Sequence, residues 1–229
     1  MKRIAMFSGG KDSTAMILNC IIRDEHIDEI VFVDTTKEFP EIYEHIDVFE
    51  EYIGRDITRL SFDFDYWFGE HIKTKGKNKG KVGYGWPDMG ARWCTAHKTA
   101  ESNRYLRKYG KGNVTELHGI AFDEIHRTTK NNDKRIIRYP LVEQRIIEKE
   151  ALRICYMHGF NWNGLYDKMS RVSCYCCPMS RVGEFKVIYT EYPELWKKME
   201  DMDKKSFRSF TSKHELAYYS NRFKKENVL

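Results

Sequence analysis

The sequence predicts an α/β fold: a doubly wound, mostly parallel, Rossmann-like sheet followed by a cysteine-rich helical extension at the C-terminal end. Three observations predict it. Short runs of β-branched and aromatic residues alternate with stretches of helical periodicity through the first half of the chain. A glycine-rich turn, SGGKDS, directly follows the first of those runs. The last stretch, from about residue 192, is charged and helical in its spacing and follows a dense group of cysteines.

RIAMF (3–7), IVFVD (30–34), ITRLSF (57–62) and TELHGI (115–120) read as buried strands bounded by turn or charge signals. Between them, 13–24 places Ala15, Leu18 and Ile22 on one helical face, and 40–53 does the same with Ile42, Ile46, Phe49 and Ile53. Further helices are expected over 91–109 and 143–157, and in the tail with Leu195, Trp196 and Met199 as its apolar face. The stretch 66–90 is crowded with glycine and proline, shows no period, and reads as a long loop of the kind that serves as a lid or binding segment. No internal repeat is visible. The expected organisation is one nucleotide-binding domain over 1–180 that includes the cysteine group, with 181–229 as a helical extension of it.

Charged residues make up 32% of the chain and apolar ones 41%. No run reaches the roughly 18 to 20 apolar residues of a membrane helix, and the run after Met1, Lys2 and Arg3 stops at Ser8, too soon for a signal peptide. A soluble, cytoplasmic protein without membrane contact is expected. The net charge of +5 is unevenly placed. KTKGKNKGK (73–81) carries five lysines and no acid, which suits an anionic partner or a solvated loop. Three of the six cysteines, Cys174, Cys176 and Cys177, fall in RVSCYCCP. In a reducing compartment that density points to metal or redox chemistry rather than to disulfides. Cys20 and Cys155 sit on apolar helix faces and read as core.

A strand ending at Phe7, then SGGKDS, then a helix starting near Asp12 or Ser13 would aim a nest of backbone amides at an oxyanion, reinforced by the positive end of the helix dipole. Gly9 and Gly10 permit the turn and a close approach of phosphate. Lys11 adds charge, and Ser8 and Ser13 add hydroxyls. The Walker pattern is excluded, because Ala5 stands where its first glycine would be and Asp12 where its Ser or Thr would be.

SGGKDS resembles the pyrophosphate loop of the PP-loop ATP pyrophosphatases, a group within the adenine nucleotide alpha hydrolase-like superfamily. VFVDTTKEFPE (31–41), GYGWPDMGARWCTAHK (83–98), GIAFDEIHR (119–127) and YPLVE (139–143) are similar to the corresponding segments of the PAPS reductase family, including its DNA phosphorothioation sulfurtransferase branch. The resemblance implies binding of ATP and Mg²⁺, cleavage between the α and β phosphates, and transfer of AMP to an acceptor. It carries catalytic roles onto Lys11, Asp12, Asp34 and Arg127, and nucleotide binding onto Ser8, Gly9, Gly10, Lys11, Asp12, Ser13, Asp34, Thr35, Asp123 and Glu124. Residue types agree: Asp34 and Thr35 close a predicted strand, where a carboxylate suits Mg²⁺ or a ribose hydroxyl. Asp123, Glu124 and Arg127 follow another strand, where Arg127 would meet charge that builds on phosphate.

Cys174 and Cys177 form a C-x-x-C pair, with Cys94 about 80 residues upstream. This layout resembles the cluster site of the iron-sulfur adenylyl-sulfate reductases, with one departure: Trp93 replaces the first of that family's paired cysteines. The implied ligands are Cys94, Cys174 and Cys177, with Cys176 or His97 as candidate fourth; a 4Fe-4S cluster and a Zn²⁺ ion are both compatible with such donors. A cluster held by three thiolates leaves one iron open, as several tRNA thiolation enzymes of related fold use it.

Three functions follow. The first is an ATP-using sulfur-transfer enzyme, with an adenine nucleotide, a nucleic-acid acceptor and a sulfur-donor protein as implied partners. The second is a phosphoadenylyl-sulfate or adenylyl-sulfate reductase. Those enzymes resemble one another in a catalytic Glu-Cys-Gly-x-His near the end, and SKHELAYYSNRFKKENVL carries nothing similar. The third is a non-enzymatic, zinc-stapled nucleic-acid-binding module.

Overall fold

The computed structural model describes residues 1–130 and 135–226. In chain order it forms β1 (Lys2–Phe7), α1 (Lys11–Ile22), β2 (Glu29–Asp34), α2 (Pro40–Ile53), β3 (Ile57–Ser61), α3 (Phe64–Gly69) and α4 (Trp93–Leu106). There follow β4 (Val114–His118), β5 (Ile136–Arg138), α5 (Pro140–Glu143), α6 (Glu148–Met157), α7 (Leu165–Lys168), α8 (Val182–Glu191), α9 (Pro193–Asp203) and α10 (Leu216–Glu226). The chain divides into two compact units. The first comprises Met1–Asp34, Pro40–Ser61 and Thr99–Gly164; the second comprises Thr35–Phe39, Phe62–Lys98 and the residues from Leu165 onward. The expected extension over 181–229 therefore shares a unit with the cysteine segment, and its residues 227–229 lie outside the described ones.

The first unit holds a five-stranded sheet of order β3-β2-β1-β4-β5, parallel throughout. Its register pairs Phe7 with Phe32 and Met6 with His118, so the loops after β1, β2 and β4 leave from the same edge. The chain winds outward from β1 to β3 on one side and places β4 and β5 on the other. The switch point lies between β1 and β4, and ligands of open α/β sheets bind at that point. Strands buried on both faces need continuous apolar side chains, and Ile4, Ala5, Val31, Phe32 and Leu117 are almost wholly buried. Ile4 and Val31 pack with Leu106 of α4.

The second unit is helical and aromatic. Trp86 packs edge-on to Phe68 and Phe210, both ring pairs 4.9 Å apart, and donates its indole N–H to Asp203 at 2.6 Å. Trp196 meets Tyr189 and Phe223 and donates to Ser220 Oγ at 3.0 Å.

Several elements differ from the sequence reading. Helix α1 begins at Lys11, because Gly9 at φ +74° completes the reversal and extended Gly10 serves as N-cap. Lys11 and Asp12 thus stand in the first helical turn. The stretch 66–90 is not a plain loop. Residues 64–69 form α3, where Asp63 accepts from the amide of Tyr66 at 2.9 Å, and Ile72 bridges antiparallel to Val82. The helix expected over 143–157 is two helices, interrupted at Arg145 with φ +57°. Among the described residues no helix is long and apolar enough to cross a membrane.

Candidate functional site

In the first unit, SGGKDS forms the turn between β1 and α1. Ser8 and Ser13 are tied together: the Ser8 amide donates to Ser13 Oγ at 3.1 Å, and the two hydroxyls are 3.0 Å apart. The loop's carbonyls are gripped from behind. Trp162 Nε1 donates to the Gly9 carbonyl at 2.8 Å, and the hydroxyls of Ser13 and Thr14 each donate to that of Gly10 at 3.0 Å. Thr14 Oγ1 is also 2.9 Å from Nε2 of buried His45, which lies 4.3 Å from the Trp162 ring. Gly10 supplies no side chain to the first-turn amides of α1, whose N–H groups have no partner within a helix. With their carbonyls turned back into the protein, the loop and helix end present the donor geometry that oxyanions need.

Two glycines are required by close approach. A Cβ on Gly9 would lie 2.7 Å from Ile42 Cγ2, and one on Gly119, in the loop after β4, would lie 2.6 Å from Cα of Ser13. The loop after β4 therefore touches the backbone of the first turn of α1.

Lys11 is 7% exposed and its ammonium lies 2.8 and 3.0 Å from the two Asp12 oxygens and 3.6 Å from Glu148. Burial pushes the Asp12 carboxyl up, only partly offset by Lys11. One carboxylate oxygen each from Asp12, Glu124 and Glu148 falls within 4.8 Å of the others, and all three residues are half-buried. An all-oxygen, carboxylate-rich set beside a turn of backbone amides has the donor chemistry that Mg²⁺ takes.

Arg127 pairs with Glu124 on the same 3-10 segment, Phe122–Lys130. Asp123 accepts from the amide of Glu148 at 3.1 Å, at the start of α6. Asp34 ends β2 and accepts from the Tyr43 hydroxyl at 2.8 Å. Lys11, Asp12, Glu124 and Arg127 are thus brought together, while Asp34 is held by α2. Glu148, Trp162 and His45 were not singled out from sequence. The only signal for Trp162 is the density of glycine, asparagine and aromatic residues in HGFNWNG, and nothing local marks Glu148.

The second unit carries the thiols. Cys94 stands in the first turn of α4, and Cys174–Cys177 form a tight turn in which the Cys177 amide donates to the Cys174 carbonyl at 3.0 Å. Thr35, expected among the nucleotide-binding residues, belongs to this unit: its hydroxyl donates to Glu38 at 3.0 Å and is 3.4 Å from Cys174 Sγ. Thr36 has φ +61°. Lys98 reaches Glu38 at 3.1 Å. Burial opposes its charge, but Glu38, Cys174 and Cys94 outweigh burial and hold the ammonium protonated. Burial pushes the thiols of Cys174, Cys176 and Cys94 up, and neighbouring thiols add to the effect. Cys94 feels Cys177, and Cys176 feels both Cys174 and Cys177, so the four sulfurs form one electrostatic group. Burial raises core thiols in the same way; what sets this group apart is four cysteines in one unit, three of them within four residues, a donor set that suits a thiophilic metal centre.

Among the described residues, no three of these sulfurs lie within 4.8 Å of one another. Four thiolates at about 2.3 Å around one tetrahedral zinc would be about 3.8 Å apart. His97 sits against the rings of Phe62 (5.4 Å) and Trp67 (4.2 Å), and Trp93 packs on Phe64 and donates to the Gly85 carbonyl. Cys20 and Cys155 are fully buried, as expected for core residues, and burial raises their thiols to about 11 and about 12.

The family model described as phosphoadenosine phosphosulfate reductase domain matches residues 2–180. Two proteins of Methanocaldococcus jannaschii are similar. The uncharacterized protein MJ0066 is 31% identical over 225 residues, covering 92% of this chain and 42% of that one. The uncharacterized protein MJ0973 is 28% identical over 211 residues, covering 87% and 47%. The chain thus spans less than half the length of these curated relatives. Among solved structures, the U34-tRNA thiolase NcsA from Methanococcus maripaludis, with its [4Fe-4S] cluster, is 15% identical at a TM-score of 0.48. That match covers 97% of this chain and 73% of the thiolase.

Proposed function

The chain belongs to the phosphoadenosine phosphosulfate reductase domain family, and from that premise we propose that it is an ATP-dependent adenylating enzyme working in sulfur transfer. One observation carries the reading: at the switch point, the Ser8–Ser13 nest, Lys11 and the Asp12–Glu124–Glu148 carboxylates face one place. In this reading the amides of the nest and Lys11 hold the phosphates of ATP, and the three carboxylates hold Mg²⁺, which when bound neutralises phosphate charge. An acceptor oxygen attacks the α phosphorus, the bond to the bridging oxygen breaks, and pyrophosphate leaves. Arg127, paired with Glu124, is placed to exchange that partner for charge developing on phosphate. A sulfur nucleophile then displaces AMP from the acceptor.

Cys94, Cys174 and Cys177 are the ligands proposed for an iron-sulfur cluster, with Cys176 beside them; such a cluster supplies a coordination position for sulfide. Lys98 offsets the negative charge of the thiolates, and Thr35 offers Cys174 a hydroxyl. Zinc is the other metal that such donors suit, and metal analysis distinguishes the two.

The reaction type is tested by incubating the protein with ATP labelled at the α phosphate, Mg²⁺ and candidate acceptors and identifying the products. AMP or an adenylated acceptor together with pyrophosphate is expected. ADP and phosphate as the only products would sink the reading.

A further inference from the structure

The second unit carries a surface whose charge and rings are not explained by nucleotide or thiol chemistry. The strip KTKGKNKGK is folded back on itself: the Lys73 amide donates to the Lys81 carbonyl at 3.0 Å and the Gly80 amide to the Lys73 carbonyl at 2.8 Å. Lys75, Lys77, Lys79 and Lys81 are exposed. Lys73 is different, being 8% exposed. Its ammonium sits 4.7 Å from the ring centres of both Tyr84 and Phe207, and among the described residues it has no carboxylate partner. Lys81 also lies over Phe207, 4.5 Å from its ring centre, and Arg208 at 5.6 Å. Burial, Arg208 and Lys81 together weaken the Lys73 proton's hold. A buried cation kept among like charges, with rings instead of an anion, is electrostatically incomplete until an anion arrives.

The rings extend the same surface. Phe207 and Tyr66 are large exposed aromatics. His71 stacks on Tyr84 with 6° between ring planes, and Trp67 lies 4.4 Å from His71. Cations that track a phosphate backbone, interleaved with rings that accept unpaired bases, are the features of single-strand binding. A duplex hides its base faces and would use only the cations.

We propose that the surface formed by Lys73, Lys81, Tyr84, Phe207 and the exposed lysines of 75–79 binds a single-stranded polynucleotide, with backbone phosphate at Lys73 and Lys81 and a base on Phe207. The proposal does not depend on adenylation, since it concerns binding without ATP.

The test is fluorescence anisotropy with the 229-residue chain and a labelled single-stranded 12-mer, its complementary duplex as a second probe, and heparin as a base-free polyanion competitor. The single strand is expected to bind more tightly than the duplex, with affinity falling as salt rises. Phe207→Ala should weaken single-strand binding about tenfold, in line with the loss of one stacked base, while leaving the salt slope unchanged. Because Lys73→Ala could disturb the fold, the charge arm uses exposed positions. Lys75→Gln with Lys77→Gln should reduce the salt slope and leave the circular dichroism spectrum intact. Equal affinity for duplex and single strand, heparin competing as well as unlabelled single strand, or no effect of Phe207→Ala would each overturn the proposal. So would absence of single-strand binding at low salt.

Discussion

The indole N–H of Trp162 donates to the carbonyl of Gly9 at 2.8 Å, fixing the back of the glycine loop to a residue that lies some 150 positions later in the chain. The bond turns the Gly9 peptide so that its carbonyl faces protein, away from the side where oxyanions would bind. It also explains why a buried tryptophan sits in HGFNWNG at φ +49°, an uncommon conformation for so large a residue.

Trp162→Phe keeps an aromatic ring but removes the donor and the second ring of the indole. The expected cost is about 1 kcal/mol of stability from the unpaired carbonyl plus a further loss from the smaller buried ring, together with weaker ATP binding as the loop loses its anchor. Urea denaturation measures the first and calorimetry the second. Unchanged ATP affinity with reduced stability would mean that the bond is structural and does not shape the nest.

Gly9 and Gly54 both have positive φ, +74° and +60°, but only Gly9 is crowded. Gly54→Ala should cost about 1 to 2 kcal/mol for the left-handed backbone alone. Gly9→Ala adds contact with Ile42 Cγ2 at 2.7 Å and should cost clearly more, by about 1 to 3 kcal/mol for overpacking. Equal losses of stability in the two variants would show that Ile42 yields.

Burial holds His45 neutral down to about 3, against an ordinary value near 6.5. The unfolded chain takes up this proton as pH falls through about 6.5 and the folded chain does not, so protonation favours unfolding. Stability from this group is full above about 6.5 and declines as pH drops toward 3. Between pH 7 and 5 the decline amounts to about 2 kcal/mol. His45→Gln can keep the contact with Thr14 but does not titrate. Its stability should fall less over the same interval; parallel curves for variant and wild type would refute the assignment.

Much of this architecture was legible in the sequence. The first four strands appear within a residue or two of their expected places because each is a β-branched run closed by a turn or a charge. The missed strand, β5, is three residues long and ends in arginine, too short for alternation to show. Helix α3 was hidden because YWFG is apolar without a helical period, and its start depends on the Asp63 cap. SGGKDS announced its turn through two adjacent glycines directly after an apolar run. Glu148 did not announce itself: its meaning comes from α6 delivering it beside Lys11, a tertiary relation. Thr35 likewise shows its bonds to Glu38 and Cys174 only in the fold, because both partners are tertiary or lie beyond the strand end.

Anaerobic purification with iron, zinc and acid-labile sulfide measured together tests the thiol group. Iron and sulfide in equal amounts with a broad absorption band are expected, and Cys94→Ser should lose most of both. Stoichiometric zinc without sulfide would replace the cluster by a structural ion and remove the sulfur-transfer half of the reading.

The most direct test of the central claim is calorimetric titration of the protein with ATP, with and without Mg²⁺, for wild type, Lys11→Ala and Glu148→Gln. Mg²⁺-dependent binding is expected for the wild type, at least about tenfold weaker in Lys11→Ala, where a charge-assisted phosphate contact is lost, and with reduced Mg²⁺ dependence in Glu148→Gln. Wild-type affinity in both variants, each folded by circular dichroism, would contradict it.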